Sequence, residues 1–207
     1  MRQGDRGGQD PTDPFLAGEQ NEALELLYDY NATRPSQATE RSQLLARMFA
    51  SAGTGCHIEP PLHANWGGRH VHLGKNVYAN FNLTLVDDGP IHIGDNVMFG
   101  PNVVVTTGGH PVLPKLRLRA AQFNLSVRIG DNVWIGSGVQ IMPGVTIGDN
   151  TVIGAGSTVT RDLPADVVAV GTPCRVVREI GEHDHTYFWR DQQFDLPVEE
   201  LLARFGS

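Results

Sequence analysis

An aliphatic residue recurs at every sixth position between residues 129 and 163, and this pattern organises the rest of the chain. Neither the period of about 3.6 residues of an α-helix nor the simple alternation of a strand gives this spacing. A fixed short repeat indicates a solenoid, in which each unit buries its apolar residue by stacking on its neighbours. The pattern therefore predicts a parallel β-helix built from hexapeptides. The aliphatic positions are Ile129, Ile135, Ile141, Ile147, Ile153 and Val159, and four residues after each come Val133, Val139, Val145, Thr151, Ser157 and Leu163.

The same register continues upstream and is interrupted twice, at residues 83–92 and 106–128. Glycines and Asp-Asn or Pro-Gly pairs between the aliphatic residues suit tight turns with positive φ. With three hexapeptides in each coil, the stretch from about Val71 to Val170 would give roughly four or five coils. Because a solenoid places insertions as loops on one side, often the binding side, we look for functional residues in the interruptions. The upstream units lie at 73–77, 93–97 and 99–103.

Helical patterns precede the repeats and can cover the open end of the solenoid. A first helix is predicted from Pro14, with Asp13 as its cap, to about Tyr30, and a second from Pro35-Ser36 to Gly53. The chain then divides into a disordered extension, a helical segment, a β-helix with an excursion loop, and a tail that ends in a short helix. The boundaries of these parts are 1–12, 13–57, 58–180 with the loop at 106–128, and 181–207.

Composition narrows the class of protein. Hydrophobic residues make up 40% of the 207 residues but aromatic residues only 7%, which suits a slim solenoid filled by Ile and Val. The net charge of −7 argues against a general nucleic-acid surface, and no apolar run reaches the roughly 18 residues of a membrane span. Without a signal-peptide pattern, a cytoplasmic protein is expected. Cys56 and Cys174 form no disulfide or zinc pattern, and Cys174 is expected to pack in the interior.

The interruptions carry the candidate chemistry. His110 follows two glycines at the start of the longer one, and a neutral imidazole there could take a proton from a hydroxyl group, although a surface-loop histidine is the simpler alternative. The earlier interruption carries Asn80-Phe81-Asn82 and Asp87-Asp88, whose amides and carboxylates could hold a polyhydroxylated ligand. The alternative is that these asparagines serve turns and that the carboxylates are solvated.

Three further features could bind ligands. Arg161, Arg175 and Arg178 gather late in the chain and could bind phosphates or form a solvated face. Trp134 precedes a repeat aliphatic and should therefore point outward, against a ligand or another subunit. His70-Val71-His72 places two imidazoles on one strand, which leaves a zinc site open, although no third ligand stands in register.

Four stretches together resemble the sugar O-acetyltransferases of the galactoside and maltose acetyltransferase family, and within it most of all the galactoside acetyltransferases. The resemblance runs from about Ser36 to Ile180. It implies a left-handed β-helix, a homotrimer with active sites between subunits, acetyl-CoA as donor, a sugar or glycoside acceptor, and no metal. The stretches are NVYANFNLTLVDDG, GPNVVVTTGGHPV, the repeats from residue 129 to Pro164, and GTPCRVVREI.

The resemblance also implies roles for individual residues. His110 matches the family's catalytic base, Asn80 the asparagine placed against the acceptor and the tetrahedral intermediate, and Asp88 an acceptor-binding aspartate. Asn65 falls where the family has a Ser or Asp that touches the sugar. The positions that match coenzyme A contacts are Trp134, Ser137, Ala155, Thr160, Arg161, Arg175 and Arg178.

The chain departs from the family near its N-terminus. A segment of about a dozen residues that carries another acceptor-binding aspartate has no counterpart between Ala17-Gly18 and Tyr28, and Gln122 replaces a Glu or Met of the loop. Three alternatives to sugar acetylation therefore stay open: transfer to a non-sugar hydroxyl compound such as a xenobiotic, a zinc-dependent lyase resembling trimeric carbonic anhydrases, and a non-catalytic scaffold.

Overall fold

Short parallel strands stack into a left-handed β-helix in the computed structural model of the chain, which describes residues 14–205. The predicted extension at 1–12 and the predicted cap Asp13 lie outside the described residues. Within the described part, the chain makes five complete coils of three strands each and begins a sixth.

The strands follow the hexapeptides in chain order. The first three coils contain β1 Ser51–Ala52, β2 His57–Ile58 and β3 His63–Ala64, then β4 Val71–Leu73, β5 Tyr78–Ala79 and β6 Thr84–Val86, then β7 Ile91–Ile93, β8 Met98–Phe99 and β9 Val104–Thr106. The excursion loop contains β10 Gly108–Gly109, a short helix at Pro114–Arg117 and β11 Phe123–Asn124. The remaining coils contain β12 Val127–Ile129, β13 Trp134–Ile135 and β14 Gln140–Ile141, then β15 Thr146–Ile147, β16 Val152–Ile153 and β17 Thr158–Val159, and finally β18 Val167–Val170 with β19 Arg175–Glu179.

Equivalent strands of successive coils pair in register and form three sheets. Sheet 1 contains the first strand of each coil (β1, β4, β7, β12, β15), and sheet 3 contains the third (β3, β6, β9, β14, β17). Sheet 2 contains the second strands (β2, β5, β8, β13, β16, β18) and is extended by β19, which pairs with β18 in the antiparallel sense. Below, the second corner is the turn from sheet 2 to sheet 3, and the third corner is the turn from sheet 3 back to sheet 1.

The repeat aliphatic residues fill the interior, as the pattern predicts. Each of the six from Ile129 to Val159 is at most 3% exposed, and the second set from Val133 to Leu163 is also buried. The Asp-Asn pairs turn the chain as predicted, since Asn132 and Asn150 have φ values of 55° and 59°. Close stacking also explains a repeat glycine, because a Cβ on Gly94 would overlap the Gly130 backbone in the next coil.

Unequal coil lengths mark the side of the solenoid that carries the loops. Hydrogen-bonded partners in adjacent coils are 18 residues apart between Asp131 and Asp149, but 20 apart between Lys75 and Asp95 and 36 between Asp95 and Asp131. All the extra residues lie at the third corner. The interruption predicted at 83–92 is therefore wrong as a loop, since β6 and β7 occupy half of it and pair in register with both neighbouring coils.

Two helices cover the first coil. They are α1 Pro14–Ala32 and α2 Ala38–Met48, and α2 buries Leu44, Leu45 and Met48. Tyr30 is fully buried and donates its hydroxyl proton to the Ile58 carbonyl oxygen at 2.5 Å. Asn31 accepts from the Leu62 N–H and donates to the Leu62 carbonyl, both at 2.8 Å. These bonds dock α1 on the solenoid.

Two predicted boundaries at this end are wrong. The second helix ends at Met48 rather than Gly53, because the next residues leave the helix to form β1. The β-helix begins at Ser51 rather than residue 58, since Ser51 pairs with His72 of the second coil.

The tail contains a 3-10 turn at Glu182–His185, a hairpin and a helix. The hairpin strands are β20 Tyr187–Trp189 and β21 Gln192–Gln193. The short helix of the excursion loop, Pro114–Arg117, is α3, and the tail helix, Val198–Phe205, is α4. Leu202 and Phe205 of this helix are 66% and 85% exposed, so these two side chains do not pack on the described part of the chain. No helix within residues 14–205 combines the length and the apolar character of a membrane span.

Candidate active site

His110 leaves the third corner where the excursion loop begins. The antiparallel pair β10 and β11 closes the base of the loop. On the loop side of this pair, the His110 Nδ1 lies 2.9 Å from the Ala121 carbonyl oxygen. A carbonyl only accepts, so Nδ1 carries the proton and Nε2 of a neutral ring is the unprotonated nitrogen. The imidazole is exposed, with Nε2 available as a base.

A chain of polar side chains lies next to His110 at the same corner. Asn65 donates to Asp88 Oδ1 at 2.9 Å, and Asn124 donates to the Asp88 backbone carbonyl at 3.1 Å. Gln122 donates to Asn124 Oδ1, also at 2.9 Å. The predicted acceptor residues Asn65 and Asp88 are thus brought together, and the loop adds two amides to them.

The adjacent carboxylates Asp87 and Asp88 have different environments. Asp88 is partly exposed, whereas Asp87 is fully buried and accepts from the backbone N–H groups of Trp66, at 2.7 Å, and Gly68, at 3.1 Å. Burial raises the pKa of the Asp87 carboxyl, and the hydrogen bond from the Trp66 N–H lowers it in part. The alternative that both carboxylates are solvated is wrong for Asp87, which holds the corner that presents Asn65.

An Asp87→Ala variant should lose about 2–5 kcal/mol of unfolding free energy, because two buried N–H groups lose their acceptor. Urea unfolding of Asp87→Ala and Asp88→Ala measures this difference. The partly exposed carboxylate of Asp88 should contribute less than about 1 kcal/mol. Equal midpoints for the two variants would contradict the structural role of Asp87.

Asn80 and several candidate cofactor residues lie elsewhere, at the second corner and on sheet 2. Asn80 Oδ1 accepts from the Phe81 N–H at 2.8 Å, so its Nδ2 group is the donor that can face a ligand. Ser137 and Ala155 occupy the same corner in successive coils, where the Gly156 N–H bonds to the Ser137 carbonyl at 2.8 Å. A Cβ on Gly138 or Gly156 would have open space around it, so a ligand can approach this backbone closely.

The exposed face of sheet 2 links Trp134 to Arg178. Trp134 is 47% exposed, which confirms its outward direction. It is in register with Val152, Val152 with Val168, and Val168 with Arg178. Three strand spacings place Trp134 and Arg178 roughly 14 Å apart along one line. Arg175 lies on the same hairpin.

Arg178 already has an anionic partner. Its two terminal nitrogens bind the Asp184 carboxylate at 2.7 Å each, and this guanidinium lowers the pKa of Asp184 to about 2. A phosphate at Arg178 would have to share or displace this carboxylate. Arg175 donates to the Cys174 carbonyl at 2.7 Å, and Cys174 is buried, as expected.

The candidate residues thus form two groups on one chain. Asn65, Asp88, His110, Thr160 and Arg161 lie at the third corner. The second group lies at the second corner and on sheet 2 and comprises Asn80, Trp134, Ser137, Ala155, Arg175 and Arg178. The width of sheet 3, roughly 15 Å, separates the groups, so one chain does not bring Asn80 to His110.

The histidine pair considered for zinc is engaged otherwise. His70 Nδ1 lies 2.6 Å from the Asp87 carbonyl oxygen, and His72 Nδ1 lies 3.2 Å from Ser51 Oγ. Among residues 14–205, no three His, Cys, Asp or Glu side chains are grouped as a metal site would need.

Sequence reasoning missed two contributors to the site, Asn124 and Gln20, and could not place a third, Gln122. Asn124 carries no local signal, because it is placed by the pairing of β10 and β11. Gln20 of α1 donates to the Asn65 carbonyl at 2.9 Å and so borders the site from the helical cap. Gln122 stood out as a departure from the family pattern, but its partner could not be inferred.

Family comparisons agree with this architecture. Residues 126–161 match the bacterial transferase hexapeptide (six repeats), and residues 10–53 match the maltose acetyltransferase hexapeptide capping motif. Galactoside O-acetyltransferase of Lactococcus lactis subsp. lactis is 52% identical over 186 residues, which cover 90% of each chain.

Solved structures of similar proteins share the fold. A galactoside acetyltransferase in complex with coenzyme A superposes with a TM-score of 0.87 at 45% identity, covering 90% of this chain and 93% of that one. A hexapeptide-repeat acetyltransferase of Vibrio cholerae O1 biovar eltor, complexed with acetyl coenzyme A, gives 0.79 at 31% identity, covering 84% and 93%. This chain is therefore an acyltransferase that belongs to the galactoside and maltose O-acetyltransferase family of hexapeptide-repeat proteins.

Proposed function

We propose that this protein transfers the acetyl group of acetyl-CoA to a hydroxyl group of a sugar or glycoside, with His110 as general base. The observation that carries the proposal is the His110–Ala121 hydrogen bond, which leaves Nε2 free beside the acceptor-type cluster of Asp88 and Asn65. The relatives named as galactoside acetyltransferases support the same chemistry.

The reaction needs one base and one oxyanion donor. Nε2 of His110 takes the hydroxyl proton while the hydroxyl oxygen attacks the thioester carbonyl carbon. The Nδ2 group of Asn80 donates to the oxyanion of the tetrahedral intermediate. The carbon–sulfur bond then breaks, and the departing thiolate takes the proton from the imidazolium. An ester and free coenzyme A leave, and atoms and charge balance.

Asn80 reaches this reaction from a second subunit. The second corner of one chain meets the third corner of the next, and such a heterologous contact closes into a ring. We propose a homotrimer, as the family resemblance implies, with one site at each of its contacts. The site is then incomplete in any single chain.

Coenzyme A lies along sheet 2 in this proposal. The pantetheine arm runs beside Trp134 and the open backbone at Ser137 and Ala155. Thr160 and Arg161 of the adjacent chain reach the arm from its third corner, and the phosphates meet Arg175 and Arg178.

The test is release of coenzyme A thiol from acetyl-CoA by the purified protein against a panel of sugars, glycosides, amino alcohols and simple alcohols. We expect acceptor-dependent release and a product mass increased by one acetyl group. Activity confined to non-sugar alcohols would overturn the sugar assignment. Failure to bind coenzyme A, together with stoichiometric zinc and CO2 hydration, would overturn the acetyltransferase in favour of a lyase.

A further inference from the structure

A line of basic side chains runs along the outer face of sheet 1 and includes none of the candidate acceptor or coenzyme A residues. The middle residue of each three-residue strand in this sheet points outward, because its two neighbours are buried in the interior. These middle residues, paired in register, are His72 of β4, His92 of β7 and Arg128 of β12. Adjacent strands lie about 4.8 Å apart, so the three residues, called the basic column below, span roughly 10 Å. Ser51 and Thr146 continue the line in the adjoining coils.

The side chains of the basic column lie close together, and its arginine has no anionic partner in the described chain. The rings of His72 and His92 stack with centroids 4.7 Å apart and an angle of 11° between their planes. Ser51 Oγ lies 3.2 Å from His72 Nδ1, so Nε2 is the nitrogen of His72 that is left for a ligand. Arg128 is exposed, and none of the ion pairs within residues 14–205 includes it. Its guanidinium therefore offers a fork of N–H donors to an external anion.

The surroundings of His92 favour a bound anion. Burial lowers the pKa of the His92 imidazole, and the nearby charges of Arg128 and His72 lower it further. Like charges opposite one another on adjacent strands also destabilise a sheet. An anion bound between these side chains would offset the repulsion and favour the imidazolium form of His92. Clusters of groups that perturb each other in this way are typical of functional sites.

The carboxylates at the edges of sheet 1 do not neutralise the basic column, because they bind the backbone. Four aspartates each accept one backbone N–H at 2.7 or 2.8 Å, and none of the four lies within 4 Å of the Arg128 guanidinium nitrogens. Lys75, which is exposed, adds another cation at the edge next to sheet 2. The four pairs are Asp95 with the N–H of Lys75, Asp131 with that of Asp95, Asp149 with that of Asp131, and Asp162 with that of Thr146.

The basic column lines a groove with a volume of about 510 Å³. Gly74, Gly94 and Gly130 line the groove beside the column, so no side chains fill this part of it. The groove has room for a phosphate group together with a small organic group attached to it. None of the exposed large hydrophobic side chains of the described chain belongs to sheet 1, so the groove offers no apolar anchor to a lipid surface.

We propose that the basic column binds the phosphate group of a soluble phosphate monoester, at a site separate from the coenzyme A and acceptor residues. The Arg128 guanidinium binds two phosphate oxygens in its fork, and the His92 imidazolium donates to a third. A planar carboxylate held in the same fork has no third oxygen for the histidine, so a phosphate fits this pair better. His72 and the Ser51 hydroxyl then face the organic group of the ester.

Calorimetric titration with sulfate tests the site. Sulfate stays a dianion where histidine titrates, whereas a phosphate monoester loses charge near pH ~6, so sulfate isolates the contribution of the protein. One equivalent of coenzyme A per chain is added first, so that sulfate does not report on Arg175 and Arg178. We expect saturable binding that is at least ~3-fold tighter at about pH 5.5 than at about pH 7.5, because the imidazolium form is lost as the pH rises. The absence of saturable sulfate binding would overturn the inference.

Variants of the basic column assign the binding to its residues. Arg128→Gln should weaken sulfate binding roughly 10-fold, because the fork of charge-assisted hydrogen bonds is lost. Arg47→Gln, at an exposed arginine of α2, is the matched control and should behave as wild type. The combined substitutions His72→Gln and His92→Gln should remove the pH dependence. Equal affinities of Arg128→Gln and wild type, or the same pH dependence without the two histidines, would contradict the proposed site.

Two further measurements identify the source of the phosphate and the independence of the site. Glycerol phosphate should bind in an Arg128-dependent manner, whereas vesicles that contain phosphatidic acid should not, and binding confined to the vesicles would overturn the assignment to a soluble ester. Coenzyme A should bind Arg128→Gln and wild type equally well, and a parallel loss of coenzyme A affinity would show that the column belongs to that site instead. These titrations need no acceptor and no turnover, so their outcome is independent of the proposed acetyl transfer.

Discussion

A His110→Ala variant should show a kcat at least ~10²-fold below the wild type while binding coenzyme A about equally well. The imidazole lies at the third corner with a free nitrogen, Nε2, that can take the proton of the acceptor hydroxyl. Alanine removes that base, and the acceptor hydroxyl must then attack without losing its proton. The measurements are kcat and KM for both substrates, with coenzyme A binding followed by calorimetry.

A histidine of the tail offers a matched control for this substitution. His185 is exposed in the 3-10 turn, far along the chain from the excursion loop, and His185→Ala should keep the wild-type kcat. An unchanged rate in His110→Ala would show that the base lies elsewhere or that the measured turnover belongs to a contaminant. Equal losses in both variants would point to a general effect of removing histidine on folding.

The coils were predictable because each hexapeptide carries its own signal. Ile135, for example, is an aliphatic residue in register, followed by glycine, and it is fully buried in sheet 2. The start of the first coil was missed because β1 lacks that signal. Ser51 and Ala52 form β1 only through pairing with the second coil, which is a tertiary effect that local sequence does not encode.

The candidate site was predictable in its residue types but not in its contacts. The neighbours Asp87 and Asp88 read alike in sequence, yet one is buried under backbone N–H groups and the other faces the loop. Asn124 becomes part of the candidate site only because β11 pairs with β10 at the base of the excursion loop. These contacts join positions distant along the chain, and neither hydrophobic period nor spacing reports them.

Mixed oligomers should recover activity from two inactive variants, since the proposed site takes His110 from one chain and Asn80 from the next. Alone, His110→Ala lacks the base and Asn80→Ala lacks the oxyanion donor, so each should fall at least ~10²-fold. Coexpressed with different tags and purified through both, the two chains should form mixed oligomers, which are trimers in the proposed assembly. A mixed trimer contains two copies of one variant and one copy of the other. In both compositions, one of the three contacts pairs an intact His110 with an intact Asn80, so about one third of the sites should be active.

The recovered activity distinguishes shared sites from sites within one chain. If one chain supplied both residues, every site in the mixed trimer would lack one group and kcat would stay at the level of the single variants. A second mixture combines wild type with a chain that carries both substitutions. In this mixture, self-contained sites keep more activity than shared sites. Shared sites are then active only between adjacent wild-type chains, so a trimer with one wild-type chain has none, whereas self-contained sites would keep one. Recovery in the first mixture, with loss in trimers holding one wild-type chain, is expected because sheet 3 separates the two corners within each chain.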